Sequence, residues 1–315
     1  LASETFEPDE FAVFEGGIET GRAFSELPFD HLLFTGSTRV AKEVSNSAAK
    51  NLTPLTLELG GKSPALVCPG ANLKRAAERI VFGKLANAGQ ICIAPDYVFV
   101  ERAKFHDFIE MLQTYIKKAY PRLNNNPDYT SIISVDHFSR LNRMIEEARE
   151  DGAEIISINP DGETLEPSAR KIPPTLILRP NPTLSVMQEE IFGPILPVLS
   201  YEKIEEAIEF VQNRARPLAL YLFTEKAIER ERILRETVSG GVAVNEVLFH
   251  CVCETLPFGG VGASGMGSYH GQAGFDTFSH LKPVFIQPRF NFNFFLVPPI
   301  TPVKRLFAKI FRKLV

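Results

Sequence analysis

Three side chains stand out because their settings are costly unless they do chemistry. Cys92 lies in "NAGQICIAPDYVFV" (87–100), where a helix-like run gives way to a strand-like run, and Asn87, Ala88, Gly89 and Gln90 precede it. A nucleophilic thiol needs a lowered pKa, a partner and access to a pocket. The alternative is a small buried hydrophobe, the role expected of Cys68 at the end of "PALVC". Glu58 sits between Leu57 and Leu59, immediately before Gly60-Gly61. A carboxylate with apolar neighbours is expensive unless it is paired or its pKa is raised, and a raised pKa suits a general base near neutrality. A strand-end glutamate turned to solvent is the competing reading. Glu190, in "QEEIFGPILPV", precedes the apolar turn Ile191-Phe192-Gly193-Pro194. There it can accept hydrogen bonds from a ligand's hydroxyls or simply cap the turn.

The elements around these residues alternate. "HLLFTGSTRVAKEV" reads as strand, turn and helix, with Gly36-Ser37-Thr38 supplying turn and N-cap chemistry. "LTLELGGKSPALVC" reads as two short buried strands around a Gly-Gly turn, and Leu73–Ala88, Phe105–Ala119, His137–Glu150, Ile204–Asn213 and Lys226–Glu236 as helices. "AEIISI", "TLIL", "ILPVLSY", "ALYLFT" and "GVAVN" read as strands. This is the pattern of an α/β fold with a largely parallel sheet. After Asn245 the text dissolves into the glycine-rich "CETLPFGGVGASGMGSYHGQAG", expected to be a packed loop over a site. "GASGMG" does not match the dinucleotide pattern GxGxxG, and no strand precedes it.

Composition excludes several classes. A net charge of -4 over 315 residues gives no footprint for nucleic acid. Cys251-Val252-Cys253 has no second pair at ligand spacing, so no metal site is expected. Four cysteines make no disulfide framework. With no visible signal peptide and no membrane span, the expected location is cytoplasmic.

Taken in order, "FTGST", "LELGGKSP", "GQICIAPDYV", "EEIFGPILPV" and "LPFGGVGASGMGSYHG" resemble the motifs of the aldehyde dehydrogenase superfamily, over roughly residues 29–285. The last motif, with "FDTFSH" after it, is most similar to the class 3 branch, which includes coniferyl (aromatic) and fatty aldehyde dehydrogenases. The resemblance implies an α/β fold of that family: a partial Rossmann-type cofactor domain over residues 1–59, a catalytic α/β domain over 60–245, and a site-covering loop with an oligomerisation tail over 246–315. It implies Cys92 as nucleophile and Glu58 as deacylating base. It assigns Gly36, Ser37, Leu59, Gly60, Glu190 and Phe192 to binding NAD or NADP. Glu190 would hold the nicotinamide ribose and Phe192 would lie beside the nicotinamide. A small-molecule aldehyde, oxidised through a cysteine thiohemiacetal and thioester, and a homodimer follow from the same resemblance.

The chain departs from the family pattern at Ala41, where glycine is usual, and at Ile91, where a smaller or polar residue is common. It also opens at Leu1, where the family has about half a cofactor domain upstream. That half holds the oxyanion-hole Asn and the residues that choose between NAD and NADP, so a fragment or a truncated product is expected. Thiol-dependent esterase or acyl-transfer activity and a non-catalytic scaffold are the alternative functions.

One further segment stands apart. In "PPITPVKRLFAKIFRKLV", Val303, Leu306, Phe307, Ile310, Phe311 and Leu314 form an apolar stripe, with Lys304, Arg305, Lys309, Arg312 and Lys313 around it. A basic amphipathic helix over 302–315 can lie on an anionic membrane surface, or pack its stripe on protein.

Overall fold

The computed structural model describes residues 2–291, 293–295 and 297–312. The chain begins with helices α1 (Ala2–Thr5) and α2 (Ile18–Ser25), then strand β1 (Leu32–Thr35), helix α3 (Thr38–Ala49) and β2 (Leu55–Glu58). Next come β3 (Pro64–Val67), α4 (Leu73–Leu85), β4 (Tyr97–Glu101), α5 (Phe105–Ala119), α6 (Val135–Glu150), β5 (Glu154–Ser157) and β6 (Thr175–Leu178). The short α7 (Ser185–Gln188) leads into β7 (Ile195–Tyr201), α8 (Ile204–Gln212), β8 (Ala219–Phe223), α9 (Ala227–Glu236) and β9 (Gly241–Val244). β10 (Gly265–Met266), α10 (Gly271–Thr277) and α11 (Pro302–Phe311) complete the order. Side-chain caps start three of these helices: Ser37, expected from the sequence, on α3, and Asn72 on α4 and Ser134 on α6 each accept an N–H from the first turn.

Two sheets form within one compact unit that ends at Phe278. The larger has strand order β5-β6-β7-β4-β3-β8-β9, parallel throughout except for the β5–β6 edge. Alternate residues of β3 serve opposite faces. Ala65 and Val67 join Ile80, Phe108 and Leu112 on one side, and Leu66 joins Leu141, Ile208 and Ile233 on the other. Burial on both faces explains why these strands read as continuous apolar runs.

The smaller sheet has order β1-β2-β10. "LTLELGGKSPALVC" is therefore not a hairpin. β2 and β3 belong to different sheets, and Gly60-Gly61 is the crossing between them. The glycine-rich loop, read from sequence as lacking strand or helix, carries both β10 and α10. β10 lies antiparallel on β2, so Gly265 faces Glu58 across the ladder. The expected 246–315 segment also divides, because residues up to Phe278 belong to the first unit and a second unit begins at Ser279. Ala41 fills a small apolar cluster with Leu57 and Leu59, joining α3 to the end of β2.

Gly265 has φ +154°, and a Cβ there would lie 2.3 Å from the Leu57 carbonyl oxygen. Gly265→Ala should lift β10 from β2 and destabilise the protein by about 1–3 kcal/mol. Urea unfolding measures this, and an unchanged midpoint would show that β10 does not need the close approach.

Candidate active site

Cys92 is delivered by a chain reversal at the end of α4. Asn87 (φ 49°), Ala88 (φ 52°) and Gly89 (φ 75°) are all left-handed. The turn is fastened by Gln90, whose amide nitrogen donates to the carbonyls of Asn87 and Ser131, both at 3.1 Å. Its amide oxygen accepts the Ile133 N–H at 2.9 Å. Beyond the thiol, the Tyr221 hydroxyl donates to the Ile93 carbonyl. The polar residues before Cys92 thus build the loop rather than activate the sulfur. Gly89 also lets a second motif close in, since a Cβ there would lie 2.3 Å from the Gly193 carbonyl oxygen.

The thiol is half-buried, and Ile91, Leu248, Cys251 and Tyr269 pack against the same core cluster. Burial pushes its pKa up to about 11, and Glu190, Cys251 and Glu58 add to the rise. No cation contributes to that shift. The lowered pKa that a resting nucleophile would show is absent, so Cys92 rests as a protonated thiol.

Glu58 ends β2 between Thr35 of β1 and Gly265 of β10. Its side chain is buried, and neither carboxylate oxygen has a hydrogen-bond partner. Burial raises its pKa to about 7. This is the setting inferred from its apolar flanks, and the solvent-facing alternative fails. Burial raises the Tyr269 pKa, and the charges of Glu58, Cys92 and Cys251 add to the rise.

Glu190 reaches across to the sheet crossing. Its carboxylate stands where a Cβ on Gly60 would be, with Oε2 2.1 Å from that position, and it accepts the Gly61 N–H. Burial, with Asp96 nearby, lifts its pKa to about 7. Two basic side chains fix this turn. Arg140 donates to the carbonyls of Glu190 (3.1 Å) and Ile191 (2.6 Å), and Lys62 donates to those of Val186 and Glu189, both at 2.8 Å. Phe192 is left-handed (φ 52°), and its carbonyl contacts His137 Nε2 at 2.7 Å.

Gly60 and Glu190 line a cleft of about 560 Å³ together with Thr38, Lys62, Arg214 and Arg216. Gly36 and Ser37 precede Thr38 at the start of α3. The Gly36 N–H is already given to the Glu58 carbonyl at 3.1 Å, and the Ser37 side chain caps Val40. The first amides of α3, at Thr38 and Arg39, have no intrahelical acceptor and could serve an anion. The Leu59 side chain is buried against Ala41, and its N–H is given to the Ser264 carbonyl, leaving only its own carbonyl for a ligand. Open amides, two arginines and an accepting carboxylate fit the phosphates and ribose of a dinucleotide.

Sequence reasoning missed Lys62, Lys84, Asp96 and Arg140. Lys62 and Asp96 stood inside the quoted motifs, and their signal was charge among apolar neighbours. Among the described residues no His/Cys/Asp/Glu cluster could hold a metal ion.

Fold and site together define an α/β protein with a half-buried thiol, a buried unpartnered carboxylate near enough to influence it, and a cleft lined by basic side chains and a carboxylate. The family model "Aldehyde dehydrogenase family" matches residues 2–284, and the chain belongs to that family. A "Probable coniferyl aldehyde dehydrogenase" of Caulobacter vibrioides is 51% identical over 288 residues, covering 91% of this chain and 59% of the relative. "Aldehyde dehydrogenase family 3 member A2" of Rattus norvegicus is 43% identical over 91% of this chain and 58% of its own length. These relatives bear out the class 3 resemblance. A substrate-bound Staphylococcus aureus AldH superposes with TM-score 0.88 at 43% identity, covering 98% of this chain and 66% of that one. A Mycobacterium tuberculosis aldehyde dehydrogenase complexed with NAD+ gives TM-score 0.78 at 29% identity, over 88% of this chain and 57% of that one. The chain spans roughly three fifths of the length of the curated relatives it matches.

The Glu58 carboxyl ionises near 4.5 when unfolded and near 7 when folded. The unfolded chain releases that proton first, so the associated stability is complete below about 4.5 and is lost as the pH rises through about 7. Glu58→Gln should therefore match the parent in acid and exceed it at pH 8 by roughly 1–3 kcal/mol, the lower end reflecting solvent screening. Urea titrations of both proteins across that range measure the difference, and parallel pH profiles would refute the buried-acid reading.

Proposed function

We propose that this chain carries the catalytic centre of a nicotinamide-dependent aldehyde dehydrogenase acting on aromatic or long-chain aldehydes. The observation that carries the reading is Glu58, a buried, unpartnered carboxyl with a pKa near 7 whose charge reaches the Cys92 thiol. Residues before Gly60 act as the cofactor-side domain and those after it as the catalytic domain, with Gly60-Gly61 as the junction.

Thr38 and Arg39 amides would hold the pyrophosphate, and Glu190 would hold the nicotinamide ribose over Gly60. Bound there, NAD or NADP supplies the hydride acceptor. Every other task falls to the chain. Cys92 must lose its proton to add to the aldehyde carbon, and Glu58, uncharged only below about pH 7, is the acceptor within its pocket. The Cys92 amide, which hydrogen-bonds its own sulfur at rest, turns to the oxyanion of the thiohemiacetal. Loss of hydride alone from that oxyanion leaves a thioester on Cys92, and Glu58 passes the thiol proton to solvent. Glu58 then takes a proton from water as that water attacks, giving the carboxylic acid and the free thiol.

Aromatic rings in the core cluster on which Cys92 packs support a bulky, apolar substrate. Tyr221, His250, Phe258 and Tyr269 form a chain of ring contacts, with centroids 5.8–6.0 Å apart at its Tyr221–His250, His250–Phe258 and Phe258–Tyr269 steps. Of the apolar stretch 247–252, Leu248 and Cys251 pack on the same core cluster as Cys92, whereas Phe249 stacks on Phe82 and Val252 is exposed. Cys92→Ser should abolish aldehyde oxidation in the protein that contains this chain, because an alkoxide forms far less readily than a thiolate near pH 7. Glu58→Gln should slow turnover roughly 100-fold or more, the first turnover included, because thiol deprotonation and water activation both lose their base. Stopped-flow absorbance with a cinnamyl-type aldehyde, a long alkanal and acetaldehyde reads both effects. Full activity in either variant, or a clear preference for acetaldehyde, would reject the corresponding assignment.

A homodimer is proposed on the family resemblance, and peripheral membrane contact on the tail. α11 is capped by Thr301 and starts at Pro302. Val303, Leu306 and Ile310 form an exposed apolar face. Lys304 leaves the expected polar face: it is buried, donates to the Val297 carbonyl at 2.6 Å and lies over the Phe294 ring. Phe307 stacks on Phe295. Lys313 and Leu314 lie outside the described residues. Arg305, Lys309 and Arg312 flank the apolar face, and no acid follows Asp276 in the sequence. No described helix is long and apolar enough to cross a membrane, which leaves surface contact. Sedimentation with phosphatidylglycerol-containing vesicles should show salt-sensitive binding that neutral vesicles lack and that deletion of residues after Pro302 removes. Equal binding by the deleted form, or none by the intact chain, would leave α11 a packing helix.

A further inference from the structure

The buried charges behind the pocket take no part in the chemistry above. Asp96 lies four residues after Cys92 and is almost fully buried. One carboxylate oxygen pairs with the Lys62 ammonium, and the other accepts the Ile191 N–H at 3.1 Å. Its own N–H donates to the Ser63 carbonyl at 2.7 Å. Lys62 completes the junction through the carbonyls of Val186 and Glu189. One carboxylate and one ammonium therefore join three segments that share no secondary structure: the Cys92 loop, the Gly60–Ser63 crossing after Glu58, and the turn that carries Glu190.

A second ammonium is close by. Lys84 of α4 is buried, its Nζ has no hydrogen-bond partner, and it lies 3.8 Å from Asp96. Burial lowers the pKa of both lysines, and Asp96 opposes that fall. Removing the Asp96 charge would strand two ammonium groups in the interior, so any defect must be separated into lost charge balance and lost geometry.

We propose that Asp96 and Lys62 are positioning residues that set the Glu190 turn against the Cys92 loop, so that cofactor grip and nucleophile keep one register. The proposal rests on the assignment of Glu190 to the cofactor. Asp96 contributes through backbone groups: it holds the amide that follows Glu190, while Lys62 holds the carbonyl that precedes it. Neither charge touches the aldehyde or the thiol in this arrangement. A residue that only stabilised the fold would change the fraction of active protein and leave the Michaelis constants of that fraction alone.

The test compares the parent, Asp96→Asn and the double variant Asp96→Asn/Lys84→Met. Asparagine keeps the shape and an acceptor for Ile191 but loses the Lys62 pairing, and methionine removes the stranded cation. Amide hydrogen exchange, read without cofactor, should quicken about 10-fold or more at Gly61 and Ile191 in both variants, while Val98 and Leu220 of the large sheet stay protected. Unfolding midpoints should fall in the single variant and largely recover in the double. Kinetics normalised to the folded fraction read from each unfolding curve should show a cofactor KM raised about 10-fold in both, including the variant with recovered stability. Recovery of cofactor KM along with stability, or exchange unchanged at Gly61 and Ile191, would reduce the pair to a structural ion pair. Absence of aldehyde oxidation in the parent would instead refute the function proposed above, and the exchange result would still decide the role of Asp96.

Discussion

A single buried carboxylate held between two ammonium groups, one of them at the edge of the cleft, is the constraint on which the site depends. Burying Asp96, Lys62 and Lys84 is costly, and it is tolerated because nearly every polar atom around Asp96 and Lys62 finds a partner. Those partners are backbone groups of three separate loops. The ion pair thus converts an electrostatic requirement into a geometric one, because the loops must converge if the charges are to be satisfied. Lys84, buried without a hydrogen bond, is the exception, and its attraction to Asp96 is what opposes its discharge.

On the other side of these loops the electrostatics are reversed. Glu58, Glu190 and the Cys92 thiol all have raised pKa values, and burial is the largest cause in each case. The pocket withholds stabilisation from negative charge until something is bound. A thiol that stays protonated at rest is protected from adventitious oxidants and alkylating agents, which react with thiolates. A carboxyl poised near neutrality can both accept the thiol proton and later activate water. The same property costs stability at alkaline pH, a trade expected where function needs an unsatisfied charge.

Close backbone approach does the rest. Gly60 admits the Glu190 carboxylate, Gly89 admits the Gly193 carbonyl and Gly265 admits the Leu57 carbonyl. Each contact joins a different pair of segments, and each excludes even one methyl group. The glycine-rich loop is ordered for this reason. Its β10 strand completes the small sheet around Glu58, so the segment that covers the site also builds the strand environment of its base.

The sequence by itself determined the elements of the large sheet, because strands buried on both faces and amphipathic helices leave unmistakable runs. It also marked Cys92, Glu58 and Glu190, since a thiol or carboxylate among apolar or glycine neighbours is conspicuous in one dimension. It placed Gly36 and Ser37 at a helix start but not the hydrogen bond that commits the Gly36 amide to Glu58. It marked two short buried strands around a Gly-Gly turn in "LTLELGGKSPALVC", but not that they join different sheets, because local pattern says nothing about which sheet a strand joins. It put Lys304 on the polar face of α11, whereas a carbonyl and an aromatic ring seven and ten residues upstream draw it inward. Only the tertiary structure decided that Asp96, Lys62 and Lys84 meet, that Arg140 clamps the Glu190 turn, and that Cys92 rests protonated. Each of these depends on the distance between segments far apart in the chain, and on how much water their meeting excludes.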